Sequence, residues 1–237
     1  MRQVPHYLLI GNGCVAKHFQ HYFSFLQLSF TTWHRQQSLI ELTQHINRAT
    51  HILLLISDAA IDDFFVQYIF SSNKICIHFS GSLVSRYVYG THPLMTFSTK
   101  LYQPELYQSI PFIIDHNALE FEDLLPGISN QHVRLHTSLK AKYHALCVLS
   151  GNFSCVLWKK LFDGLTNEFN ISHSLAYPYL LQQMKNLIDD PSSAMTGPLV
   201  RGDLQTIKNN LTALQADPFY SVYKSFVACY QQIKETS

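Results

Sequence analysis

The chain has 237 residues, 47% of them apolar and only 14% charged, with nine Gly, nine Pro and a net charge of +1. This composition excludes a disordered, collagen-like or nucleic-acid-coating chain, because hydrophobicity is high and there is no basic excess. A chain of this length buries roughly 70% of its unfolded surface, enough for a core without disulfide or metal staples, and so little charge points to a subunit interface.

Met1 to Pro5 lead into Tyr7-Leu8-Leu9-Ile10, a strand-like run too short for a signal-peptide core or a membrane span. The apolar positions Val15, Phe19, Tyr22 and Leu26 predict a helix over 15–26, followed by a strand over 28–33 and a helix over 39–46. Ile52 to Ile56 is an unbroken aliphatic run, as expected for a strand buried on both faces of a parallel sheet. A helix over 61–69 and strands over 75–79 and 112–114 complete the alternation, which implies right-handed βαβ units and an open doubly wound sheet.

Near residue 135 the pattern changes. A helix of about 30 residues is predicted from Ser138 to Phe169, loosened at Gly151 and Gly164. Further helices are expected over 175–188, 204–214 and 220–233, the second of these capped by Asp203. The fold class is therefore α/β, a doubly wound Rossmann-type sheet over 1–135 followed by an all-helical domain over 136–237. Aromatics such as Trp158, Phe162, Tyr179 and Phe226 lie in the helical half, so a homodimer joined through that domain is expected. The odd number of cysteines, five, opposes a secreted disulfide framework, and Asn152-Phe-Ser, Asn170-Ile-Ser and Asn210-Leu-Thr match glycosylation acceptors without an export signal. The cytoplasm is the expected compartment, with no nucleic-acid or membrane partner.

Gly11-Asn12-Gly13-Cys14-Val15-Ala16 has the G-x-G-x-x-A form between a predicted strand and helix. The first glycine permits the turn, the second admits a pyrophosphate, and the small third residue lets the helix pack on the strand. A pyrophosphate would then lie at a helix N-terminus; the alternative is a turn serving strand-to-helix geometry alone. The second strand ends in Trp33-His34-Arg35 with no acid before Glu41. Arg35, with His34 beside it, suits a 2′-phosphate where an acid would suit a free hydroxyl, so NADP (NADPH) is expected over NAD. Ser57, Asp58 and Ser80 lie at the ends of the third and fourth strands, where the nicotinamide would sit. Asp58 has a second reading as the N-cap of its helix.

Other motifs follow in order: His78-x-Ser80-Gly81, Gly90-Thr-His92-Pro93-x-x-Thr96-Phe97, Lys142-Tyr143-His144-Ala145 with Gly151-Asn152-Phe153, and Thr196-Gly197-Pro198-x-x-Arg201-Gly202-Asp203. Together with the glycine turn, they resemble the bacterial Rossmann-like proteins that carry an uncharacterised helical C-terminal domain and are described as NADP oxidoreductases. More distantly the plan is similar to pyrroline-5-carboxylate reductase, ketopantoate reductase and the β-hydroxyacid dehydrogenases. The resemblance implies a cleft between the domains, with a nicotinamide at its base, but it does not imply a substrate; a hydride transfer between NADPH and a small keto or imine compound is the expected function.

Some of those relatives polarise the substrate with a Lys, often with an Asn, from the helical domain. Here Lys140 and His144 are helical neighbours four residues apart, and Asn152 lies about 80° around the helix from His144. The Lys-to-Asn spacing of the dehydrogenases is not reproduced. His144 is the preferred proton donor, its alternative a packed core histidine. His92, Thr196 and Arg201 are candidate substrate contacts, against a backbone-held loop histidine and an Arg201–Asp203 structural pair. No metal is expected, since no ligand spacing accompanies the thirteen histidines. The competing functions are a non-catalytic NADP-binding sensor or partner protein, and a scaffold that has lost nucleotide affinity.

Overall fold

Seven strands form one sheet in the computed structural model, which describes residues 4–236. In chain order the elements are β1 His6–Ile10, α1 Cys14–Phe25, β2 Ser29–Trp33, α2 Leu39–Arg48, β3 His51–Leu54 and α3 Asp58–Phe64, which runs on as a π-helical turn Phe65–Ile69. Next come β4 Ile75–His78, β5 Tyr89–Pro93, α4 Pro104–Ser109, β6 Phe112–Asp115, α5 Phe121–Leu124 and β7 His132–Leu135. The remaining elements are helical: α6 Lys140–Cys147, a π-helical turn Val148–Asn152, α7 Phe153–Asn167, α8 Tyr177–Asp189, α9 Pro198–Arg201, α10 Leu204–Ala213 and α11 Tyr220–Thr236.

The strand order is β2-β1-β3-β4-β5-β6-β7. Every neighbouring pair is parallel except β5 with β6. The chain steps outward from β1 to β2 and then returns to β3 on the other side, so the crevice of this open sheet lies beyond the carboxyl ends of β1 and β3.

Side chains alternate between two cores, as the twofold repeat of a strand requires. Tyr7, Leu9, Leu53 and Ile77 pack with Phe19 and Phe23 of α1, Tyr107 of α4 and Phe121 of α5. Leu8, Ile10, Ile52, Leu54 and Cys76 pack on the opposite face with Leu42 and Ile46 of α2 and Ile61 of α3. With both faces covered, the inner strands must be continuously apolar. Ser38 starts α2 with a reciprocal capping box to Glu41.

The chain divides into two compact units, one up to Val156 and one from Leu157 onward. Residue 135, where the sequence pattern changes, is the end of β7 and not this division. The first unit continues through α6 because Lys140 is buried against Asp115 of β6. The long helix runs from Thr137 to Asn167. It is loosened at Gly151, inside the π-helical turn, but regular at Gly164. By length and composition alone it could cross a membrane, and none of its most apolar window is buried.

In the second unit Trp158 meets Tyr179 at 5.3 Å between ring centroids, and Phe162 meets Tyr177 at 6.0 Å. Asp203 caps α10 by accepting from the Thr206 amide at 3.0 Å.

Candidate functional site

The turn after β1 is built for close approach. Gly11 has φ +132°, and a Cβ there would collide with the carbonyl oxygen of Leu55, so only glycine fits. Over Gly13 the space is open. Gly13 caps α1 without a side-chain hydrogen bond, and the first turn of α1 carries no acid. The helix therefore presents unpaired amides and its positive end to that space, conditions that suit a pyrophosphate. Ala16 is fully buried, so its small side chain serves the packing of α1.

Two lobes meet at this turn and share Gly13, Leu55 and Ile56. The larger, about 730 Å³, is lined by Asn12, Trp33, His34, Arg35, Ser57, Phe64 and Tyr68 among others. Its aromatic wall is continuous, with Trp33–Phe64 at 5.8 Å and Phe64–Tyr68 at 4.9 Å. Arg35 is exposed at this lobe, beyond the end of β2. Such a lobe can take a planar base, and Arg35 can take a phosphate next to it.

The smaller lobe, about 320 Å³, is lined by Cys14, Val15, Asp58, Phe79, Ser80, His92, Met95 and Phe97 among others. Most of its polar groups are committed. Cys14 Sγ donates to the Ser98 carbonyl at 2.7 Å. Ser80 Oγ donates to Asp58 Oδ2 at 2.5 Å and accepts from the amides of Ser82 and Leu83 at 3.2 and 2.9 Å. Asp58 is thus not the N-cap of α3. Ser57 holds that position, and the Asp58 carboxylate ties the β4 turn to the helix.

α6 lies over the ends of β4, β5 and β6. Lys140 Nζ pairs with Asp115 Oδ1 at 2.8 Å and is 4% exposed. Gly90 makes room for this pair, since a Cβ there would strike both the carboxylate and the ammonium. Lys140 is therefore an internal counter-ion, and its ammonium is not available to polarise a substrate. His144 Nδ1 sits where a side chain at position 81 would go, buried and without a hydrogen-bond partner among the described residues. Asn152 is exposed on the π-helical turn, so Lys140, His144 and Asn152 do not converge as a catalytic set. Tyr143, which the sequence motifs contain but to which no role attaches there, donates or accepts at His92 Nδ1 across 2.8 Å. Its position one turn after Lys140 and next to His144 was the available signal.

Burial sets the electrostatics of this corner. His78 is pushed down to about 3, chiefly by desolvation and secondarily by the Lys140 charge. His92 is pushed down to about 4 by desolvation, then by His144 and Lys140, with Asp58 opposing. The Tyr143 phenol is pushed well up by burial and by neighbouring Cys147. Thr196 and Arg201 are exposed at the start and end of α9, in the second unit. Asp203 accepts from Thr206 twice. Among the described residues no group of three His, Cys, Asp or Glu could hold a metal ion.

Residues 114–232 match the model of a domain of unknown function, DUF2520. No curated protein matches the sequence. Solved structures share the fold. BF3122 from Bacteroides fragilis, a proposed NADP oxidoreductase, superposes with a TM-score of 0.76 at 20% identity, covering 96% of this chain and 98% of its own. TM1727 from Thermotoga maritima gives 0.68 at 17% identity, covering 97% and 98%. A reductive aminase from Aspergillus terreus, in complex with NADPH and ethyl levulinate, gives 0.67 at 14% identity, covering 99% and 95%.

Proposed function

The chain belongs to the DUF2520 family, and we propose that it is an NADP-dependent oxidoreductase that transfers a hydride between NADPH and a small keto or imine compound. One observation carries this reading: the two lobes join at an open glycine turn backed by the uncapped N-terminus of α1. Gly11, Asn12, Gly13, Cys14 and Val15 would hold the pyrophosphate. Trp33, Phe64 and Tyr68 would flank the adenine, while Arg35 and His34 would take the 2′-phosphate that distinguishes NADP from NAD. The bound nicotinamide supplies or accepts the hydride. Val15, Phe79, Met95 and Phe97 give the smaller lobe an apolar lining, which would strengthen the polar contacts made there once a bound ligand displaces the water. The fold relative in complex with NADPH and a keto ester is in keeping with this chemistry.

The first test is fluorescence titration with NADPH and NADH. Tighter binding of NADPH is expected, and Arg35→Ala should weaken NADPH at least about tenfold while sparing NADH, because a charge-assisted contact to phosphate is lost. Equal weakening of both would remove the phosphate-reading role of Arg35.

One observation favours a second reading, a non-catalytic NADP-binding sensor or partner. Lys140 is sequestered with Asp115, and Asn152 is exposed on the π-helical turn. Turnover of NADPH with any of a panel of 2-keto acids and cyclic imines would exclude it.

We also infer a homodimer. Leu139, Leu146, Leu149, Phe153 and Val156 recur at heptad-like spacing on the long helix and are 50–56% exposed, a seam suited to a second copy of itself. Covering this face by dimerisation suits a soluble, cytoplasmic protein better than a membrane span does, since the helix also carries Lys140, Lys142, Lys159 and Lys160.

A further inference from the structure

The ends of β4, β5 and β6 gather polar groups that cofactor binding does not use. His78 pairs with Gly90 in register, and Thr91 pairs with Ile114. His78, Gly90, His92 and Asp115 therefore share one face of the sheet, the face over which α6 lays Lys140, Tyr143 and His144. On α6, Lys140 and His144 have places in the packing. Lys140 neutralises Asp115. His144 fills the space over Gly81 and meets His92 edge-on, at 5.7 Å between centroids and 86° between planes.

Of the polar side chains lining the smaller lobe, Cys14, Ser80 and Asp58 are engaged with protein partners. His92 uses Nδ1 on the Tyr143 hydroxyl and, among the described residues, has no hydrogen-bond partner at Nε2. The phenol keeps its proton, because burial and Cys147 both resist its loss. As donor it would choose the imidazole nitrogen, a far better acceptor than a thiol, and the ring hydrogen of His92 would then reside on Nε2.

We propose that His92 is the residue that contacts the substrate, its Nε2–H donating to the oxygen of a keto substrate, with Tyr143 as the positioning residue that fixes this tautomer. The assignment rests on the oxidoreductase reading above. As the hydride arrives at the carbonyl carbon, the electron pair of the C=O bond moves onto oxygen. His92 stabilises that charge by its hydrogen bond, keeps its own proton, and water supplies the proton that completes the alcohol. It acts as a neutral donor. Lys140, Tyr143 and His144 of α6 and Asp58 of α3 act on it directly, His78 of β4 and Asp115 of β6 share its sheet face, and burial with the nearby Lys140 ammonium opposes a second positive charge.

The experiment reads imidazole ¹⁵N resonances in the full-length protein, alone and as a dead-end complex with NADP⁺ and either cyclohexanone or pyruvate. His92 is expected as the Nε2–H tautomer, with no titration between about pH 8 and pH 5.5, and its Nε2–H signal should shift on addition of a ketone to the NADP⁺ complex. Tyr143→Phe should populate the Nδ1–H tautomer. His92→Asn should leave NADPH affinity within about twofold and lower kcat with an active ketone about 100-fold, whereas His144→Gln should lower it much less. NADPH binding by the wild type with a His92 signal indifferent to both ketones overturns this assignment alone. So does a His92 that titrates near its ordinary value. A wild type that binds no NADPH overturns the oxidoreductase reading and this assignment together.

Discussion

Up to Val156 the chain buries aliphatic side chains on both faces of a sheet, with Leu8, Leu9, Ile10, Ile52 and Leu53 fully enclosed. From Leu157 onward only Gly164, Ala176 and Ile207 are buried among the described residues, while Leu175, Leu181, Ile188 and Leu204 are 68–81% exposed. The two units follow different rules of closure. A strand inside a covered sheet hides every side chain, so a few short runs complete a core. A helix hides one stripe and leaves the rest to whatever packs next. The first unit closes its sheet within one chain yet leaves the long-helix stripe Leu139, Leu146, Leu149, Phe153 and Val156 exposed, and the second unit leaves most of its apolar side chains exposed as well.

The largest effect that would test this contrast lies in the first unit. Lys140→Met should destabilise it by about 3–5 kcal/mol in urea melts, because Asp115 is left buried without its counter-ion. Lys140→Met combined with Asp115→Leu should recover most of that loss. If the single variant costs little, the corner is open to water and the closed picture of this unit fails.

Acid should separate the two units next. His78 is held neutral in the fold, its value lowered to about 3, whereas the unfolded chain takes up a proton near 6.5. Its contribution is complete above about pH 6.5 and is lost as pH falls toward 3, reaching about 3 kcal/mol by about pH 4.5. The shifted carboxylates of the second unit, Asp190, Asp203 and Asp217, are all lowered by hydrogen bonds, so their contribution is lost only below about pH 4. Hydrogen exchange at about pH 4.5 should show the sheet opening before α10; the reverse order would contradict the burial contrast.

A smaller effect is expected on association. Leu149→Lys with Phe153→Lys should weaken the dimer at least about tenfold by sedimentation, with little change in the cofactor cleft. The smallest belongs to the second unit alone: Asp203→Ala removes the cap of α10 and should lower Tm by roughly 2 °C.

Much of the sheet was legible in the sequence because a doubly covered strand writes itself as an aliphatic run. β1, β3 and β4 are of that kind. β5 was not legible, because Tyr-Gly-Thr-His-Pro has no apolar run; it is a strand through its partners, and its small and polar residues serve the corner under α6. β7 was hidden for another reason. It is an edge strand, with Val133 62% exposed, and its pairing with β6 alone defines it. The glycine turn, Arg35 at the end of β2 and the Asp203 cap could be read because each depends on residues within a few positions of one another.

The fate of the helix residues could not be read in the same way. Helical spacing places Lys140, Tyr143 and His144 on one face, but it does not say what that face meets. Asp115 claims Lys140 across the sheet, and His92 takes the Tyr143 hydroxyl from 51 residues away. Those partners depend on the antiparallel register of β5 with β6 and on where α6 crosses it. Local patterns record steric periodicity along the chain. The pairing of charges and the tautomer of a buried imidazole are decided by which groups share a desolvated space, and only the folded chain creates that space.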